Sequence, residues 1–306
     1  MTPLLCVLQI CVSIVLLWKG SDILVENAVK IAAFFGVSHL VIGLTIVALG
    51  TSAPEFSVTI GAAITGQSNI SVSNVIGSNI FNLGFILGGI AIIRTIKSSP
   101  KLILRDGSIL IIATIAILVM VWDRTLVRYE GIILFAGLIF YNVMLMHSEK
   151  RSRGDIPRQP ISVKNVLGFL LGLALILAGG SLLRNGSVGI ARLAGMSEWV
   201  IGATIVAAGT SAPEFVTSLA ATVKGHHELS AGNLVGSCIY NFMGVLGTAV
   251  IIRPMQVTSS ARQTMLFTVI LMIVAIIMLG THKKLTRTEG IVLFIFSIII
   301  WVVEFM

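Results

Sequence analysis

The sequence predicts an all-α integral membrane protein of ten transmembrane helices, folded as two inverted five-helix repeats with both the N- and C-termini outside. Three observations carry that expectation. Of 306 residues, 56% are hydrophobic and only 11% are charged, which is far from the balance of a soluble domain. Apolar stretches of spanning length recur along the whole chain. A motif in the first half returns in the second at a constant offset.

The mean hydropathy of +1.01 calls for a lipid solvent. Crossing about 30 Å of hydrocarbon as a helix takes roughly 17 to 25 residues. Apolar runs of about that order lie at 3–18, 38–63, 70–93, 104–122, 130–147, 164–184, 197–222, 230–252, 264–280 and 288–305. The first run has no basic residue before it and Lys19 directly after it, so it is expected to be a retained span and not a signal peptide.

A formal charge of +8 would suggest nucleic acid in a soluble protein. Here the basic residues follow topology. With the N-terminus outside, fifteen of the 21 Lys and Arg fall on inner segments, and only Arg124, Arg128, Arg184, Arg192, Arg253 and Arg262 fall on outer ones. The expected setting is a multi-pass place in the cell membrane, the compact chain leaning prokaryotic. The bilayer is the expected surroundings, and no nucleic acid, resident cofactor or obligatory protein partner is implied. Cys6, Cys11 and Cys238 lack metal-ligand spacing and are expected to be small buried hydrophobes.

The repeat is specific. Gly43-Leu-Thr-Ile-Val-Ala-Leu-Gly-Thr-Ser-Ala-Pro-Glu-Phe56 recurs as Gly202-Ala-Thr-Ile-Val-Ala-Ala-Gly-Thr-Ser-Ala-Pro-Glu-Phe215, an offset of 159 residues. The same offset aligns Ser73-Asn-Val-Ile-Gly-Ser-Asn-Ile-Phe-Asn82 with Gly232-Asn-Leu-Val-Gly-Ser-Cys-Ile-Tyr-Asn241, and it pairs Gly36 with Gly195, Arg94 with Arg253 and Arg128 with Arg287. Five crossings per copy force the second copy to enter the bilayer upside down. Residues 1–147 are expected to form the first repeat, 148–163 a cytoplasmic linker and 164–306 the second repeat.

Glu55 and Glu214 stand out as the only acidic residues deep inside apolar spans, where an ionised carboxylate costs several kcal/mol or more. One such glutamate can be a hydrogen-bonded packing residue. A symmetric pair in duplicated motifs calls for function. Pro54 and Pro213 lack an N–H and should open their helices, turning the Ala48 and Ala207 carbonyls into candidate cation ligands. Thr51 and Ser52 lie four and three residues before Glu55, on its helical face, and Thr210 and Ser211 repeat this before Glu214. In the next span Asn74, Ser78 and Asn82 form one stripe, matched by Asn233, Ser237 and Asn241. An oxygen-only donor set suits hard cations such as Ca2+ and Na+.

At these motifs the sequence resembles the cation/calcium exchanger superfamily, in its sodium/calcium exchanger branch with two alpha-repeats. Gly50-Thr-Ser-Ala-Pro-Glu55 with Gly77-Ser-Asn-Ile-Phe-Asn82, and Gly209-Thr-Ser-Ala-Pro-Glu214 with Gly236-Ser-Cys-Ile-Tyr-Asn241, carry the resemblance. It implies metal ligands from Ala48, Thr51, Ser52, Glu55, Ser78 and Asn82, and from Ala207, Thr210, Ser211, Glu214, Ser237 and Asn241. It also implies exchange of Ca2+ for Na+ by alternating access, with the first and sixth helices sliding on the other eight, and no enzymatic activity. Potassium-dependent relatives have an aspartate where this chain has Asn241, so potassium coupling is not expected.

Proton/calcium exchange is the alternative, although that branch has a different signature around its glutamates. A passive cation channel could use the same oxygens and is the remote alternative. Glu130 and Glu289 begin the last helix of each repeat and suit helix N-termini. Lys19, Asp22, Glu26 and Lys30 are spaced for a salt-bridged helical face. His226 and His227 are expected to be turn residues.

Overall fold

The computed structural model describes residues 2–152, 160–196, 205 and 207–305. It is helical apart from four two-residue strands. The first long helix, α1 (Pro3–Phe35), starts where Thr2 accepts from the Leu5 N–H and Pro3 occupies the first turn. It ends at Gly36, whose φ of 62° is a left-handed cap. The expected span of 3–18 is therefore the first half of one continuous helix. Residues beyond Trp18 stay helical because Leu24, Val25, Ala28, Ile31 and Ala32 bury one face while Lys19, Glu26 and Lys30 lie on the other. Of the expected ion pairs, Lys30–Glu26 forms at 2.6 Å, whereas Asp22 pairs with Lys224 at 2.8 Å. Lys19 sits over the Trp18 ring instead.

The next span is broken, with α2 (His39–Thr51) and α3 (Ala53–Ile64) bent by 48°. It is followed by α4 (Ser68–Ile93), α5 (Leu102–Asp123) and α6 (Arg128–Ser152). In the second half come α7 (Val163–Leu193), α8 (Ala207–Thr210), α9 (Ala212–Val223), α10 (His227–Ile252), α11 (Ser259–Gly280) and α12 (Arg287–Phe305). Among the described residues seven helices are long and apolar enough to cross a membrane, eight with the bent pair. The part of the expected seventh span before Ala207, apart from Ile205, and the linker residues 153–159 lie outside the described residues.

The short strands tie the halves together. β1 (Ile96–Lys97) pairs with β4 (Lys284–Leu285), and β2 (Thr125–Leu126) with β3 (Met255–Gln256). Each pairing joins one half to the other, and the repeat offset turns the first pairing into the second. Because β1 precedes α5 and β2 follows it, the two pairings sit at opposite ends of that helix. Arg94 continues the pattern by donating to the Val223 carbonyl at 2.8 Å, while its counterpart Arg253 lies against Gly66.

Two hydrophobic clusters divide the interior. The larger joins α2, α4, α5, α6, α10, α11 and α12. The smaller centres on α1 and α7, through Leu17, Leu24, Val25, Phe169 and Ile176. These two helices run antiparallel at backbone distance, since a Cβ on Gly172 would lie 2.6 Å from the Leu24 nitrogen and one on Gly186 would lie 2.8 Å from the Cys6 carbonyl. Cys6 and Cys238 are buried as expected, but Cys11 is exposed on the outward face of α1.

Candidate cation site

The two helix breaks meet at the centre of the molecule. Pro54 falls in the first turn of α3 after Ser52 (ψ 7°), and Pro213 in the first turn of α9 after Ser211 (ψ 6°). The helical ladder survives closer to the break than the sequence suggests. The Ser52 N–H still donates to the Ala48 carbonyl at 3.0 Å, and the Thr51 hydroxyl approaches the same oxygen at 3.3 Å. Ala48 is thus not freed by Pro54, and it can meet a cation only through remaining lone-pair capacity. Ala207 is the first residue of α8.

Both glutamates are fully buried, and their hydroxyl partners come from the opposite repeat. Ser211 donates to Glu55 Oε1 at 3.0 Å, and Ser52 donates to Glu214 Oε1 at 3.0 Å. The sequence placed Ser52 on the face of Glu55; the bend turns it to Glu214 instead. Ser237 adds a bond to Glu214 Oε1 at 3.3 Å, and the Thr210 hydroxyl reaches Glu55. Thr51 donates to Asn233 Oδ1 at 3.1 Å and lies 3.5 Å from the Ser237 hydroxyl.

The polar stripes of α4 and α10 face this centre, where each helix contains a π-helical segment, Phe81–Ile86 and Tyr240–Leu246. Such local widening recurs at functional sites. Asn82 and Asn241 both lie in these segments. Asn241 Nδ2 donates to the Ser78 hydroxyl at 3.2 Å. Asn74 and Asn233 have a different job. Asn74 donates to Thr59 Oγ1 at 2.9 Å and to the Glu55 carbonyl at 3.4 Å, and Asn233 does the same to Ser218 (3.0 Å) and the Glu214 carbonyl (3.5 Å). They brace the helices that carry the glutamates.

Among the described residues, Glu55 Oε2, Glu214 Oε2, Asn82 Oδ1 and Asn241 Oδ1 are buried without a hydrogen-bond partner. A buried polar atom left in that condition costs about 1–3 kcal/mol, and oxygens of this kind are the donors a hard cation takes. Among the described residues no Lys or Arg makes an ion pair with either glutamate. The donors are all oxygen, with two negative charges, which suits one Ca2+ or two Na+ and leaves an anion without a counter-charge.

Several residues escaped the sequence reading. Thr59 and Ser218 each lie four residues after a glutamate, a signal available in both repeats. Thr217 and Asn79 are buried with an unpartnered oxygen, but their counterparts Val58 and Cys238 are not amides or hydroxyls, so symmetry gave no hint. A third carboxylate, Asp106, is also fully buried. Arg105 holds it through two bonds of 2.8 and 3.0 Å and the Tyr141 hydroxyl donates to it at 3.1 Å. Asp106 stands at the edge of its apolar run, so Glu55 and Glu214 remain the acidic pair deep inside the spans, with Asp106 a further buried acid. Glu130 and Glu289 do cap their helices, accepting from the Val127 and Thr286 N–H groups at 2.9 and 2.8 Å. His226 stacks edge-on against His39.

Fold and site together define a multi-span membrane transporter of the cation/calcium exchange class. A family described as sodium/calcium exchanger protein matches the chain twice, over residues 5–147 and 164–306, and the chain belongs to that family. The putative antiporter CaxA of Alkalimonas amylolytica is 34% identical over 93% of this chain and 93% of its own length. The sodium/calcium exchanger MaX1 of Methanosarcina acetivorans is 31% identical over 97% and 98%. The solved sodium-calcium exchanger NCX_Mj, soaked with Na+ and Sr2+, superposes with a TM-score of 0.85 at 29% identity, covering 97% of this chain and 98% of that one. The resemblance read from the Gly-Thr-Ser-Ala-Pro-Glu motifs holds.

Proposed function

We propose that this protein exchanges Ca2+ for Na+ across the cell membrane, both ions using in turn the cage around Glu55 and Glu214. The observation that carries this reading is the set of four buried, unpartnered oxygens from two glutamates and two asparagines. Thr51, Ser52, Ser78, Thr210, Ser211 and Ser237, with the Ala48 and Ala207 carbonyls, complete the proposed ligand set. Two carboxylates balance either one divalent or two monovalent cations, so occupancy by one species excludes the other.

The proposed architecture is ten crossings with both termini outside, residues 1–147 and 164–306 forming inverted repeats around a cytoplasmic linker, 148–163. Alternating access would move α1 and α7 as a pair against the remaining helices. The glycine-lined contact that packs α1 and α7 at backbone distance supports that division. Ser52 and Ser211 reach across the two repeats, so ion binding reorganises bonds that link them.

Radiocalcium uptake into sodium-loaded proteoliposomes tests the reading. Uptake should require an outward sodium gradient and cease when sodium is equal on both sides. Uptake driven by a proton gradient would assign the protein to proton/calcium exchange, and uptake indifferent to both gradients would contradict exchange.

A further inference from the structure

The repeat relates two crevices beside the site. One, of about 270 Å3, lies between α3 and α7, and Ala53, Ser57, Leu177, Gly180 and Ser181 form part of its wall. The offset of 159 residues converts these into Ala212, Val216, Trp18, Ser21 and Asp22, which line a second crevice of about 480 Å3 between α1 and α9. The first reaches Thr210, next to the hydroxyl that binds Glu55.

Their shapes are related, but their charges are not. Arg184 lines the first crevice, and its counterpart in the repeat, Val25, is a buried aliphatic residue. Among the described residues no carboxylate pairs with Arg184. In the second crevice the acidic Asp22 replaces Ser181 and is balanced by Lys224 at 2.8 Å. Among the described residues one mouth therefore carries an uncompensated positive charge, and in the other Asp22 and Lys224 balance. Arg184 is also held in place, since a Cβ on Gly209 would lie 2.9 Å from Arg184 Cβ and 3.1 Å from its Cγ. Its stem packs on the helix break one residue before Thr210.

We infer that Arg184 is a specificity-determining residue, a fixed positive charge on one approach to the cage that penalises calcium more than sodium. This rests on the exchange reading above. The energy of an ion in a given field is proportional to its charge, so the factor by which Arg184 weakens binding of Ca2+ is the square of that for each Na+. In the proposed orientation the charged crevice faces outward. There it weakens the outward-facing site's hold on calcium, while the inner approach lacks this penalty. It leaves the direction of net flux to the ion gradients.

The test measures half-saturating Ca2+ and Na+ in right-side-out and everted vesicles for the wild type, Arg184→Gln and Arg184→Lys. On the charged face, Arg184→Gln should lower the half-saturating Ca2+ concentration roughly three- to tenfold and that of Na+ by about the square root of the same factor. Arg184→Lys should stay near the wild type, and the other face should not change. Raising ionic strength with choline chloride should reduce the difference between wild type and Arg184→Gln. Should Arg184→Gln not fold, raising ionic strength should improve wild-type Ca2+ affinity on the charged face alone. Unchanged constants, equal shifts for both ions, equal shifts on both faces, or a lysine variant behaving like glutamine would overturn the assignment. Wild-type exchange is scored separately. Its absence contradicts the exchange reading and this inference with it, whereas exchange with unaltered constants in Arg184→Gln contradicts the role of Arg184 alone.

Discussion

Ser52, in the first repeat, donates its hydroxyl to Oε1 of Glu214, in the second, at 3.0 Å. The repeat reproduces this bond as Ser211 to Glu55 at the same length. Each carboxylate is thus oriented by the other half of the chain, leaving its second oxygen for a cation. A hydrogen bond to a charged group contributes about 1.5–3 kcal/mol, so Ser52→Ala should weaken apparent calcium affinity roughly ten- to a hundredfold. Ser211→Ala should do the same, as read from the half-saturating Ca2+ for uptake. An affinity unchanged in both variants would show that the crossed bonds do not shape the site.

Asn241 places an amide where a carboxylate would add a third negative charge beside Ser78. Wild-type calcium uptake should therefore be indifferent to potassium. Asn241→Asp should bind Ca2+ about tenfold tighter or more. It should also lose uptake more steeply as pH falls, because each proton on a ligand carboxylate removes charge the cation needs. Potassium-stimulated uptake in the wild type would contradict the assignment of Asn241.

The Arg105–Asp106–Tyr141 cluster is structural in this account. Asp106→Ala removes the buried partner of a guanidinium and should destabilise the protein by roughly 3–5 kcal/mol. A lowered thermal midpoint in detergent, with normal calcium affinity in the molecules that remain folded, is the expected pair of results. A changed affinity at unchanged stability would place the cluster in the transport path.

Gly172 lets α7 approach α1 at backbone distance. Gly172→Leu forces side-chain atoms against Leu24 and should cost about 1–3 kcal/mol, slowing exchange more than it alters calcium affinity. Equal turnover in Gly172→Leu and wild type would remove the case for α1 and α7 moving as a close-packed pair.

Much of this arrangement was legible because duplication doubles every signal. Glu55 with Glu214 and Pro54 with Pro213 announce buried charge and broken helix twice each. The length of α1 was hidden by Lys19, Asp22 and Glu26, although Leu24, Val25, Ala28 and Ile31 carry a helical period through the same stretch. Spacing within one helix cannot reveal a bond to another, so it puts Ser52 on the face of Glu55, whereas the hydroxyl serves Glu214. Asp106 stands at the edge of an apolar run, where sequence alone gives no sign of burial. The π-helical segment Leu102–Gly107 contains it, and Tyr141 meets it only across a helix contact. The tasks of Asn74 and Asn233 depend on Thr59 and Ser218, which the stripe pattern does not include.

The most direct measurement is equilibrium radiocalcium binding to the purified protein, titrated with Na+, for the wild type and Glu55→Gln. A single shared cage predicts that saturating Na+ displaces all bound Ca2+ from the wild type and that Glu55→Gln binds neither ion in the wild-type range. Calcium retained at saturating sodium, or wild-type binding of both ions by Glu55→Gln, would contradict it.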